Sequence, residues 1–306
     1  MKKLTLLLLA LLYVTLTYAY TERDLLQKQA DINRLKEILV LDRQWVTYPD
    51  YNDRAGWDRF LGTFKDEYIR RGEKRLNYQW QVVKATDYLA FERTGNRQIM
   101  EKPFGANNGA IADLLMAELA EGKGRFVDQL INGVFNACEM TSWALAAHII
   151  VQPSHRALPA YDYPVIDLTS GDLGGLLAWT YHFMRPSFDK VDPEISRRLR
   201  HELQTRILDP YMNNDSFWWM GRNYNGRMLN NWNPWCNSNA LMCFMLLEDN
   251  RDTLAKAVHL TMESVDKFLN YIKADGACEE GPSYWGHAAG KTLDYLELLS
   301  DITGDK

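Results

Sequence analysis

The sequence predicts an all-α fold, on three observations. Apolar residues recur at helical spacing from end to end. Strand-type alternation is nearly absent, with Val165 to Leu168 at most a short extended piece. Segments with one polar face alternate with segments apolar on several faces, as expected when outer helices cover buried inner ones. Two arrangements fit: a compact helical bundle, or an (α/α) toroid, an incomplete barrel of helical hairpins with a buried inner layer. A toroid has a natural cleft where the loops of its inner helices converge, and such clefts are where ligands sit.

Residues 21–41 place Leu25, Ile32, Leu35, Ile38 and Leu39 on one helical face, with charges between them. Residues 110–120 are rich in Ala, Leu, Met and Glu, good helix formers, and Gly122 and Gly124 follow as a stop. Residues 126–151 read as one long buried helix, and residues 171–183 as another. Asp192-Pro193-Glu194 opens the next with a cap residue, a proline at the first helical position and an acid near the positive dipole end. That helix is expected to stop at Asp209-Pro210. Helices over residues 238–247, 253–273 and 283–302 complete the set. Only Gly304-Asp305-Lys306 follows, so the chain reads as a fragment cut before a further domain.

Composition and the first residues set the compartment and exclude some functions. Lys2 and Lys3 precede an apolar run with seven leucines between Leu4 and Thr15, and Thr17-Tyr18-Ala19 offers small residues at a cleavage site. That is a secretory signal over residues 1–19, too short for a membrane span, which needs about 20 apolar residues. No Cys follows the run, so no lipid anchor is expected, and the protein reads as periplasmic or secreted. The net charge of −5 is interspersed, so no basic field invites nucleic acid. Cys138, Cys236, Cys243 and Cys278 lack zinc-ligand spacing and read as apolar fillers, with one disulfide permitted by export. GxSxG, HExxH, phosphate-loop and dinucleotide motifs are absent. No metal or cofactor is expected.

Three segments could carry chemistry. Residues 216–239, SFWWMGRNYNGRMLNNWNPWCNSN, hold four Trp, seven Asn and two Arg. They read either as a loop held by its own asparagines or as a sugar site. In the second case indole faces stack on pyranose rings, amides match paired hydroxyls, and Arg222 or Arg227 grips a carboxylate or sulfate. Residues 275–290, DGACEEGPSYWGHAAG, put Tyr284 and Trp285 at a helix N-terminus, with His287 just beyond. A positive helix end favours a phenolate. Residues 136–148, NACEMTSWALAAH, place Glu139 and Trp143 on one helix face, with His148 about a turn further on. A lone Glu in an apolar helix must be paired or face a cleft.

The NNWNPWCNSN segment, followed about fifty residues later by DGACEEGPSYWGHAAG, resembles the helical domain of heparinase II/III-type polysaccharide lyases. The upstream CEMTSWALAAH and WWMG segments are similar to the same group. The resemblance covers most of residues 20–306. It implies an (α/α) toroid followed by a β-sandwich domain, and β-elimination on uronic-acid polysaccharides such as heparin, heparan sulfate or alginate. By motif, it makes Asn231 the amide that neutralises the substrate carboxylate, with Asn230 as the adjacent alternative, and Tyr284 the acid/base. Glu139, Trp143, Trp219, Trp232 and His287 become substrate contacts. Where some members carry a Glu shortly after the neutralising residue, this chain has Pro234. A further family His belongs to the β-sandwich domain. Two rivals use the same residues. A glycoside hydrolase would need paired carboxylates, from Glu139, Glu280 or Asp275. A periplasmic glycan-binding protein would need only the Trp/Asn segment.

Overall fold

The computed structural model describes residues 22–223, 228–272, 276–278 and 280–305. The signal segment (residues 1–19), Arg227 and Asp275 lie outside the described residues. Among the described residues the regular structure is all helical, without a strand, so the fold is all-α.

Side-chain caps set several helix starts. Asp31 accepts from Arg34 N–H at the head of α1 (Ile32–Ile38), and Asp53 from Gly56 N–H at α2 (Arg54–Leu61). Helices α3 (Lys65–Glu73) and α4 (Ala85–Thr94) lead to the long α5 (Gln98–Glu121), which Gly122 ends in the left-handed region at φ 66°. After α6 (Val127–Glu139), Asp167 and Ser170 form a reciprocal capping box at α7 (Leu168–Val191). Asp192 caps α8 (Pro193–Leu203), with Pro193 at its first position as the sequence predicts. A short α9 (Asp209–Asn213) follows, then α10 (Trp232–Leu247), α11 (Arg251–Tyr271) and α12 (Trp285–Thr303).

The helices pack as neighbours in two rows. In one, α5 touches α7, α7 touches α10, and α10 touches α12. In the other, α6 packs on α8, while α1 packs on α11. The hairpins α5–α6, α7–α8 and α10–α11 join the rows, and α2, α3 and α4 cover α5. Helix α10 therefore lies between α7 and α12 with α11 behind it, and all but two of its residues from Asn233 to Leu247 (Trp235 and Met242) are buried. This places the Asn- and Trp-rich first turn of α10 at the meeting point of three elements.

Several helix limits differ from the sequence reading, each for a local reason. Residues 126–151 do not form one helix: α6 stops at Glu139, and Met140 turns extended at φ −68°, ψ 137°. Trp143 folds back, its indole N–H donating to Ala137 O at 2.9 Å. Arg206 donates to Cys138 O at 3.3 Å and to Thr141 O at 3.1 Å. These donors satisfy carbonyls that a continued helix would have bonded, and the cation suits a helix C-terminus. Downstream, the chain does not stop at Asp209-Pro210. A π-turn over Gln204–Leu208 widens the backbone just before the ring that would clash in a regular helix, and α9 continues beyond. Among the described residues 22–41 only Ile32–Ile38 is helical.

The cysteines are free thiols: Cys138, Cys236 and Cys243 are buried and Cys278 is half-buried. Burial pushes the Cys138 and Cys243 thiols up to about 12, and Cys236 well above its usual value, which keeps them inert.

Candidate functional site

The first turn of α10 carries the site. Asn230 Oδ1 accepts from Trp232 N–H at 3.1 Å, so Asn230 supplies the cap. Asn231, the residue next to the helix, makes no side-chain cap bond. Its backbone N–H donates to Glu280 Oε2 at 3.1 Å, across the chain from the turn that precedes α12. Asn231 is only 3 % exposed. The turn continues into Tyr284, whose N–H donates to Gly281 O at 3.2 Å. Tyr284 is the residue next to α12, makes no side-chain cap bond and is 47 % exposed.

One turn into each helix the two segments meet again. The His287 ring stacks on Trp235, centroids 5.1 Å apart and 19° between planes, and Tyr284 meets His287 edge-on at 5.4 Å. Trp235 is held from three sides. Its indole N–H donates to Asp172 Oδ1 at 2.7 Å, Asn239 Nδ2 donates to the same oxygen at 2.8 Å, and Lys291 Nζ lies 5.4 Å over the ring. Asp172, on α7, is reached by solvent yet has protein on most sides. That loss of hydration raises its pKa above the ordinary carboxylate value, against the two hydrogen bonds that lower it. Accessible but poorly hydrated, it has the environment of a cleft wall. Beyond Asn239 and Lys291 the site opens into a cavity of about 240 Å³, walled by Trp45, Tyr48 and Trp179.

No protein-family model matches this chain, and no curated protein matches it either.

Asn231, Tyr284 and His287, three of the residues singled out in the sequence, come together here with Asn230 as the cap. Trp232, half-buried, faces the other side of the same turn, its ring 4.6 Å from His148 and 5.4 Å from the exposed Trp218. Three others do not join them. Trp219 is 1 % exposed, with its N–H on Ile166 O at 2.9 Å. Trp143 is 2 % exposed beneath Arg206, so neither ring is open to a ligand. Glu139 is exposed at the end of α6, where it pairs with Arg198 at 3.3 Å, away from Asn231 and Tyr284. It is not a cleft Glu in an apolar helix, because the helix ends at it. Arg222 is also committed, to Asp215 at 2.6 Å and Tyr211 O at 2.9 Å.

Sequence reasoning missed Asp172, Trp235 and Lys291 as members of this cluster, and named Glu280 only as a carboxylate for the hydrolase reading. For Trp235 the signal was present, since it lies three positions after Trp232 in the same motif. Asp172 had none: an Asp in the first turns of an apolar helix reads as dipole compensation. Among the described residues no group of three His, Cys, Asp or Glu could hold a metal ion.

Proposed function

We propose that this chain is the Tyr-bearing helical part of a lyase that cleaves uronic-acid polysaccharides by β-elimination, acting after export. The observation that carries the reading is the meeting of two segments about fifty residues apart. Asn231 is tied to Glu280, and Trp235 is stacked on His287 beside Tyr284.

The residue types suit the reaction. The C5 proton of a uronate is weakly acidic, and removing it builds charge on the carboxylate. The Asn231 amide donates to that carboxylate and stabilises the enolate-like charge. Tyr284 takes the proton and returns one to the glycosidic oxygen leaving C4. The C4–O bond breaks as the C4–C5 double bond forms, and no water enters. Trp235 and His287 supply an aromatic wall for a sugar ring, and Lys291, which pairs with Asp294 at 3.1 Å, stands beside it. Asn231 is 3 % exposed, so its amide meets a ligand only when the packing around it opens. Closure of the two helix rows into an (α/α) toroid belongs to the same proposal. No helix among the described residues is long and apolar enough to cross a membrane, and the reading needs none.

Asp172 favours one rival. A carboxyl with a raised pKa in a cleft has the property of a glycosidase general acid, and Glu280 is a second carboxylate in the same cluster. The products separate the readings. This chain, with any sequence that follows it in the gene, would be mixed with heparin, heparan sulfate, chondroitin and alginate. Elimination gives ultraviolet absorbance from the new double bond, one per cut. New reducing ends without that absorbance overturn the lyase in favour of the hydrolase. Binding with no cut of either kind leaves a glycan-binding protein.

A further inference from the structure

His148 is the hub of a relay unused by the chemistry above. Its Nδ1 lies 2.7 Å from Asp167 Oδ2, and Asp167 is fully buried. The Asp167 carboxylate also accepts from Leu145 N–H at 3.0 Å, Ser170 N–H at 2.7 Å and Thr169 Oγ1 at 3.1 Å. Such a carboxylate is fixed in place. On the other side of the ring, His148 Nε2 lies 3.2 Å from Arg97 Nη2. A guanidinium can only donate, so Nε2 is the acceptor and Nδ1 carries the proton that goes to Asp167. The chain Arg97 to His148 to Asp167 thus orients an arginine from a buried anchor.

Arg97 stands at the head of α5, its side chain 45 % exposed, with Nε on Glu101 at 2.6 Å. Among the described residues its Nη1 makes no hydrogen bond, which leaves an edge of the planar fork for a ligand. The wall beside it is aromatic: Trp232 packs on His148, and Trp218, 43 % exposed, packs on Trp232. Trp232 directly follows Asn231. A positioned guanidinium edge next to exposed indole fits an anionic sugar, with its acid group on the fork and its ring on the indole face.

We propose that Arg97, with Trp218 and Trp232, forms a subsite for an anionic sugar residue next to the Asn231 centre, and that His148 and Asp167 are its positioning residues. The proposal rests on the glycan reading of the site. Its test is binding, read by tryptophan fluorescence and calorimetry, so it does not depend on turnover. The probes are an alginate tetrasaccharide, its carboxyl-reduced neutral form, and a heparin tetrasaccharide. The full chain should bind the alginate oligosaccharide at least about tenfold tighter than the neutral one. Arg97→Gln should remove that preference, bringing the affinity for the alginate oligosaccharide to that for the neutral one. Arg97→Lys should not restore it, because the ammonium lacks the fork. His148→Ala should lose part of it, with the helical circular dichroism retained. Heparin bound tighter than alginate, and dependent on Arg97, identifies sulfate as the group on the fork; the reverse identifies the carboxylate.

Undiminished preference in Arg97→Gln overturns the subsite, as does a wild type that binds none of the probes or does not discriminate. Arg97-dependent binding without an unsaturated product keeps the subsite and removes the lyase. Elimination indifferent to Arg97→Gln does the opposite.

Discussion

Helix α10 puts the same residue types to opposite uses on two faces. On the inner face Asn233 and Asn237 are fully buried. Asn233 Nδ2 donates to Trp219 O at 2.7 Å and Ser264 O at 2.9 Å, which ties α10 to α11 and to the Trp219 segment. Asn237 accepts from Tyr211 Oη at 2.5 Å and donates to Ser264 Oγ at 2.9 Å. These amides have spent their donors on the protein. On the cleft-side turn, the Asn231 side chain caps nothing, and Trp232 and Trp235 reach partners on other elements. Four Trp and seven Asn in one segment say that stacking and amide bonding are needed there. They do not say for whom; the hydrogen-bond partner decides that.

The comparison is tested hardest by removing one group from each side. Tyr284→Phe keeps the ring and deletes the proton-carrying oxygen of a half-exposed residue. We expect turnover to fall by about 10²–10⁴-fold, the range for a lost general acid/base, with the unfolding midpoint unchanged. Retained turnover would remove Tyr284 from the chemistry. Trp219→Ala should do the reverse, costing about 3–5 kcal/mol of stability in chemical denaturation, as for a large core aromatic. A stable Trp219→Ala protein with weakened glycan binding would mean that its ring reaches the ligand after all.

Asn237→Ala tests the inner face more finely. It strands the buried Tyr211 hydroxyl and leaves Ser264 Oγ with only the Asn233 amide at 3.2 Å, which should cost about 1–3 kcal/mol. Glycan affinity, measured well below the new melting temperature, should not change. A selective loss of affinity at unaltered stability would place the inner asparagines in the site and erase the distinction between the faces.

What could be read in the sequence divides along the same line. The all-α class followed from periodicity, and the Asp192-Pro193 start from cap chemistry, because both are local. The end of α6 was hidden: the donors that take its last carbonyls, Arg206 and Trp143, come from later in the chain. The continuation past Pro210 was hidden too, since a π-turn leaves no mark in composition. In the candidate site, Asn231 and Tyr284 drew attention because each sits in a dense motif, and their roles belong to the proposal. Asp172 and Arg97 stand alone in their segments and gain meaning only through partners about 60 and 50 residues away. Trp143 and Trp219 were misjudged because an indole beside polar residues can point either way.

Asp172 offers the smallest effect and the sharpest sign. Poor hydration raises its folded-state pKa above the unfolded one, so the folded protein holds that proton more tightly. Its contribution to stability is then fully present below the unfolded pKa and is lost as pH rises through the folded pKa. Asp172→Asn removes the charge, while its amide oxygen can still accept from Trp235 and Asn239. The variant should match the wild type in acid and gain on it by a small margin as the pH approaches neutrality, read as the difference in unfolding midpoint across the series. A variant that instead loses stability towards neutral pH would mean that the attraction to Lys291 outweighs the lost hydration. Asp172 would then be a structural group, as the buried amides of the inner face are, and the cleft wall would have to be drawn without it.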